Sequence, residues 1–503
     1  MELGATECGL PRASRMTRRG LLIRGSWLLG GAVVGRPWLL AREPAAPTGD
    51  VSPVMEKLSS YMGEAAGRAL PAEVTEQAKH HVLDTLAAMI SGSQLAPGRA
   101  ALEFAKAYGG ERVATVAASD LVCGPFEAAM ANGVLAHSDE TDDSHSPSQS
   151  HPGCAVVPAA LAAGERFSIG GLQYLRAVTL GYDIGSRVGM TLGGVNYQTE
   201  SHRDPHATSA GFGAAAAAGC AATLNPRQVR TLLDYAAQQS AGIAAWQRDT
   251  QHFEKAFVFA GMPARNGVTA ALLVHAGWSG VNDIFSGTDN FFAANAPQAN
   301  LDGLIDKLGE RYEVTRTNIK KWCVGSPIQA PLDALDILLK QHAFNADQVQ
   351  SVTVSVATRE ATIVDNRDLP DICLQHLLAV MLVNKTVTFR SAHDVSLMKV
   401  PSILRERAKI TLVGDEELEK RLPAREATVK VTLNDGRRLS QHIDAVRGTA
   451  ENPMTRDEVV AKSRDLIEPI LGAGKSAKLI ETVLELERVR DIHELRPLIQ
   501  TTL

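Results

Sequence analysis

The sequence predicts a mainly α-helical protein, a large all-helical domain with a smaller α+β domain inserted into it. Three observations carry this expectation. From about Val51 to Asn300, apolar residues recur at helical spacing behind helix-start signals. From Val349 to Val356, and again from Val429 to Ile443, the apolar residues include runs of strict alternation, the pattern of strands with one buried face. Beyond that, Thr455 and Glu458 form a capping box ahead of Val459, Val460, Leu466 and Ile467, so helices resume and pack back on the first set. A chain of 503 residues also exceeds what one hydrophobic core ordinarily holds. The expected divisions are a leader over 1–47, the helical domain over 48–305 plus 444–503, and the α+β domain over 306–443.

At the N-terminus, Arg18-Arg19 precede Leu21-Leu22 and a weakly apolar run from Gly25 to Gly35, flanked by Arg24 and Arg36 and followed by Pro- and Ala-rich sequence to Pro47. This pattern reads as a twin-arginine export signal, with Met16 as an alternative start. The run is too short to span a bilayer. It predicts a mature protein in the periplasm that is not membrane-bound; without the signal the location would be cytoplasmic.

Within the helical region, Pro71 opens a segment in which Val74, Ala78, Val82, Leu86 and Ile90 line one face. Pro125 opens another that runs through Ala129 and Val134. Pro158 lies early in a further apolar run, Ser168 is expected to cap a helix carrying Leu172, Leu175 and Val178, and Asn225-Pro226 starts a helix through Val229, Leu232 and Leu233. Gly181, Gly185 and Gly189, with the alanines of 214–218, read as close helix packing; no strand precedes them and no GxGxxG is present. In the α+β part, Asn434-Asp435-Gly436 marks a hairpin turn leading to Leu439 and Ile443, with helices expected over 374–383 and 400–408.

Composition narrows the function. A net charge of −5, a pI near 6.3 and 5% aromatic residues do not fit a nucleic-acid binder. The cysteines Cys8, Cys123, Cys154, Cys220, Cys323 and Cys373 lack CxxC spacing and read as small buried residues.

The chemistry concentrates in one stretch. Asn132-Gly133 is followed by His137, Ser138, Asp139, Glu140, Thr141, Asp142, Asp143, Ser144 and His145, then His151-Pro152-Gly153. Titratable groups at the edge of an alanine-rich core are expected to be paired or used. A polar loop capping two helices is the plainest reading. A metal site is a second, but there is no HExxH, and the acidic run lacks the glycine and terminal glutamate of a calcium loop. Acid–base catalysis without metal or other cofactor is the third, and the one carried forward. Elsewhere, His202 and His206 stand one helical turn apart, Lys255 precedes Arg265 in a glycine-rich segment, and Lys320-Lys321-Trp322 falls near the domain junction.

Together these residues resemble the MmgE/PrpD family. The resemblance rests on Asn132-Gly133-x-x-x-His137-Ser138, Asp142-Asp143-Ser144-His145 and His151-Pro152. His206 before Gly211-x-Gly213, Lys255 before Ala264-Arg265-x-Gly267, and Lys320-x-Trp322 follow in the same order. It covers about 52–500. It implies a helical domain with an α+β lid, a homodimer, and a cofactor-independent site between the domains for a small di- or tricarboxylate. The family's reactions include dehydration of 2-methylcitrate, decarboxylation of cis-aconitate and epimerisation of iminodisuccinate. The positions carried over are Glu140 in place of the usual aspartate, Ser144 in place of threonine, and His151, His206, Lys255 and Lys320 as catalytic groups. His137, Asp142, Asp143, His145, Arg265 and Lys321 are expected to help bind substrate. The chain departs from the pattern in having no histidine at 257–259 and in carrying Gln329 where a histidine is common. The expected activity is therefore a hydro-lyase or decarboxylase, with a dicarboxylate epimerase or an inactive carboxylate-binding protein as alternatives.

Overall fold

A computed structural model gives the structure of the protein and describes residues 50–501. The expected leader lies outside the described residues. Helices dominate, with a small sheet late in the chain. Pro71 is the N-cap of the helix Ala72–Gly92, Pro125 is the first residue of Pro125–Ala136, and Asn225 closes a capping box on Pro226–Gln238. Each start has a proline with its preset φ, and at Pro226–Gln238 the Asn225 capping box also satisfies orphan amides.

One start lies elsewhere than expected. Ser168 ends the helix Pro152–Phe167 in a left-handed conformation (φ 51°), and Gly170 becomes the N-cap of Gly171–Leu192. A helix needs an extended residue at its N-cap, and Gly170 supplies one two positions after Ser168.

The Gly171–Leu192 and Pro205–Ala221 helices cross at their small residues. A Cβ on Gly181 would stand 2.8 Å from the Gly213 carbonyl oxygen, and one on Gly185 2.6 Å from that of Ser209. This close approach lets Pro205–Ala221, nearly all buried, run through the centre of the helical core.

The four-stranded sheet has the spatial order Ile410–Asp415, Val349–Ala357, Ala427–Leu433, Arg438–Ile443. The first pair is parallel and the others antiparallel. Val352, Val354 and Val356 are fully buried on one face, and Gly436 takes the positive φ (88°) of the hairpin turn. Helices occupy Leu374–Asn384 and Pro401–Arg407. The strand Ile410–Asp415 was not expected from the sequence.

Buried apolar residues from Trp322 to Val446 form one hydrophobic cluster around this sheet. The larger cluster joins residues from Met55 to Cys323 with those from Met454 to Ile499. The Arg456–Leu471 helix, capped by Thr455 and Glu458, returns to pack on Ala72–Gly92. There Lys462 Nζ lies 2.6 Å from Asp84 Oδ1 and donates to the Thr141 carbonyl at 3.0 Å. The last helices thereby brace the acidic loop from below.

Candidate active site

The acidic loop is strung between two helices. Asn132 ties Pro125–Ala136 to the short hairpin at 114–123, accepting from the Ala117 amide (2.9 Å) and donating to the Thr115 carbonyl (2.8 Å). The helix ends at His137. The chain then runs buried from His137 to Asp143, reaches solvent at Pro147 and returns to His151, where Pro152–Phe167 begins. On the way, Ser144 and Asn318 exchange backbone hydrogen bonds of 3.0 and 2.8 Å, which brings the segment bearing Lys320 alongside.

Two carboxylates organise the site. Asp142 places Oδ2 3.0 Å from His137 Nδ1 and Oδ1 3.3 Å from His151 Nδ1, the second contact lying outside hydrogen-bond alignment. Glu140 accepts a hydrogen bond from Lys255, and its Oε2 lies 3.6 Å from Lys320 Nζ. Lys320 also donates to the Glu140 carbonyl at 2.9 Å. Burial raises the pKa of both acids, but the Lys255 and Lys320 ammoniums hold Glu140 well below the usual range. The His137 and His151 imidazoles do the same for Asp142. Burial, only partly offset by Asp142, pushes His151 down to about 4, so it is neutral near pH 7.

His206 enters from the start of Pro205–Ala221. Asp204, the N-cap, accepts from the His206 and Ala207 amides and sits 2.8 Å from His206 Nδ1, so Nε2 is the nitrogen left for proton exchange. Phe259 lies between rings, stacked on His206 (4.0 Å between centroids) and on His137 (4.9 Å), with Trp246 edge-on at 4.7 Å. It belongs to a π-helical turn, Phe257–Gly261, that joins Phe253–Ala256 to Met262–His275. Such turns re-aim side chains within a helix and recur at functional sites.

The structure therefore brings together Glu140, His151, His206, Lys255 and Lys320 with His137 and Asp142. The remaining sequence-predicted residues are placed around this group. Asp143 is fully committed elsewhere, accepting from Tyr182 (2.5 Å), from the Gly153 amide (2.9 Å) and facing His81 Nδ1 (2.8 Å). His145 contacts Ser148 (2.7 Å) and Glu313 (3.3 Å). Lys321 pairs with Asp333 (3.3 Å) and Asp336 (3.0 Å). Arg265 is exposed on Met262–His275. Ser144 and Lys320 line a cavity of about 350 Å³ together with Arg316, Gln329, Arg425 and Arg447. The Gln329 carboxamide clasps the lysine-bearing loop, bonding Trp322 N and O and Val324 O at 2.8–3.1 Å.

Several contributors escaped the sequence reading. Asp204 had a signal, an Asp-Pro cap directly before His206. His252 and Phe259 had none, nor had His393, whose Nε2 reaches Asp139 Oδ2 at 2.8 Å and Asp371 Oδ2 at 4.0 Å. Among the described residues, two sets of groups have the composition and spacing of a metal site, His137–Asp142–His151 and His137–Glu140–His252, each with donor atoms within 4.8 Å of one another. In both, the carboxylate already faces one or two ammonium groups. A divalent cation would meet their repulsion.

Residues 56–303 match the model of the MmgE/PrpD N-terminal domain, and residues 322–488 that of the MmgE/PrpD C-terminal domain. Among curated proteins, the chain is similar to a cis-aconitate decarboxylase-like protein, oryM, of Aspergillus oryzae, at 26% identity over 90% of this chain and 98% of that one. It is also similar to the cis-aconitate decarboxylases of Aspergillus terreus (24% identity, 89% of this chain and 96% of the relative) and Homo sapiens (24%, 85% and 90%).

Proposed function

Because this chain belongs to the MmgE/PrpD family, we propose that it is a cofactor-independent lyase acting on a small di- or tricarboxylate, with decarboxylation of a cis-aconitate-like acid as the leading reaction. The observation that carries this reading is the pairing of a cationic clamp with two carboxylate-held imidazoles. Lys255 and Lys320 converge on Glu140, while Asp142 and Asp204 hold His151 and His206.

The two ammoniums match the carboxylates of a polyanionic substrate and the negative charge that grows beside them. In decarboxylation the C–C bond to one carboxylate breaks, CO₂ leaves, and the electron pair stays on carbon, spread into its unsaturated neighbourhood. A histidine then delivers a proton to that carbon. His151 is neutral in the free protein, and a bound polyanion favours its protonated form, so substrate itself primes the donor. The aromatic wall of Phe259 and Trp246 keeps water from the carbanion.

Dehydration is the second reading. It is favoured by the neutral state of His151, which suits a base taking an α-proton while His206 protonates the leaving hydroxyl. An epimerase would need its two acid–base groups on opposite faces of one carbon, and a binding protein would hold the acid without turnover.

Residues 322–446, with their own apolar cluster, are read as the lid over this site, and the functional unit as a homodimer on the strength of family membership. The Arg18-Arg19 stretch supports export to the periplasm by the twin-arginine route.

The test is proton NMR on metal-free purified protein with cis-aconitate, 2-methylcitrate, citrate and iminodisuccinate. Loss of one acid with a new vinylic product supports the proposal. Tight binding without turnover of any acid would favour the binding protein instead.

A further inference from the structure

We propose that His252 is a substrate-contacting residue of this site, donating through Nε2 to a carboxylate of the bound acid beside His137. The inference rests on the lyase reading above and deepens it, because nothing in the sequence marked this histidine.

Four observations meet at the residue. Its ring centroid lies 5.2 Å from that of His137. Nε2 of His252 and Nε2 of His137 are both buried without a hydrogen-bond partner. A ring nitrogen of each lies within 4.8 Å of a Glu140 carboxylate oxygen. The backbone of His252 is left-handed, with φ 65°, at the start of the short helix that presents Lys255.

Buried polar atoms are almost always satisfied, so these two adjacent nitrogens, without a partner in the protein, are available to a ligand. A non-glycine residue held at positive φ is likewise uncommon and clusters at functional sites. The strained turn faces the ring inward, toward Glu140, instead of letting it follow its exposed neighbours Gln251 and Phe253 to solvent.

The charge state fits a donor. Burial and the Lys255 ammonium hold the imidazole at about 3 against the pull of Glu140, so it stays neutral. A neutral imidazole offers one N–H without adding a third cation to Lys255 and Lys320. With Asp142 at Nδ1 of His137, the open Nε2 atoms of His137 and His252, on rings 5.2 Å apart, suit the two oxygens of one carboxylate. His252 would thereby help decide which acids bind, because a substrate lacking a carboxylate at that point leaves both nitrogens open.

The experiment compares wild-type, His252→Phe and His252→Gln proteins, all treated with chelator. It measures thermal melting, binding of cis-aconitate and citrate by calorimetry, and kinetics for whichever acid turns over. Phenylalanine keeps the ring and removes the nitrogens; glutamine restores a donor. The expected result is unchanged melting of the free proteins. With it comes a loss of about tenfold or more in affinity and a matching rise in KM for His252→Phe, the scale of one hydrogen bond to a charged group, with partial recovery in His252→Gln. Equal affinity and KM in wild type and His252→Phe would overturn the role of His252 and leave the lyase reading standing. Wild type that neither binds nor converts any of the acids would overturn the lyase reading and this inference with it. An effect of the substitution that appears only after zinc or iron is restored would overturn the inference by making His252 a metal ligand.

Discussion

His151 Nδ1 lies 3.3 Å from Asp142 Oδ1. Asp142 holds His137 through its other oxygen, at 3.0 Å. One buried carboxylate thus faces two imidazoles, hydrogen-bonded to His137 and in close contact with His151.

Replacing Asp142 with Asn keeps the shape and removes the charge. It also puts an NH₂ in place of one of the two oxygens that face His137 and His151, so the ring opposite that NH₂ must change tautomer or turn. Turnover is expected to fall by about 10²–10⁴-fold, the range associated with a positioned acid–base group. Circular dichroism should match wild type. A loss below fivefold would mean that Asp142 does not orient the reacting imidazole.

Gly133 of the Asn132-Gly133 motif is fixed by packing. A Cβ there would stand 2.8 Å from the Ala260 carbonyl oxygen and 3.0 Å from Gly261 Cα, both backbone atoms of the π turn that carries Phe259. Gly133→Ala is expected to cost about 1–3 kcal/mol of stability, as for overpacking elsewhere, and to lower activity by moving Phe259. Thermal melting and kcat on the same preparation check both effects. Unchanged values for both would remove the motif's structural explanation.

A pH test addresses the acidic loop from its other side. Burial alone would push His393 down, but Asp139, at 2.8 Å, and Asp371 outweigh it and raise the imidazole to about 9. A raised folded pKa means stabilisation that is full below the unfolded value near 6.5 and is lost as pH climbs through about 9. Melting temperature should therefore decline between these limits in wild type and much less in His393→Gln. Parallel profiles would show that the Asp139–His393 pair does not titrate in that window.

How far the sequence could be read depended on where neighbours come from. The acidic stretch was legible because Asp142 and its two histidines lie within fifteen positions of one another. Asp204 could have been read with them, as a cap two residues from His206. His252 and His393 could not, since each gains its meaning from residues more than a hundred positions away, brought near only by folding. Arg265 was singled out by residue type, yet Ala264, Gly267, Val268 and Ala271 bury the other faces of its helix and leave Arg265 toward solvent. Lys321 likewise stands out by residue type alone, and Asp333 and Asp336 on the following helix take up its charge. The strand at Ile410–Asp415 is short and follows a helix directly, so its alternation was too brief to stand out.

In the proposed reaction His151 moves a proton at a carbon next to a carboxylate. Its most direct test is turnover in deuterated buffer, followed by proton NMR, with wild type and His151→Ala compared on the acid that wild type converts. Solvent deuterium is expected at the reacting carbon of the wild-type product, with no turnover by His151→Ala although it still binds the acid. Near-normal turnover by His151→Ala, with the same deuterium pattern, would contradict it.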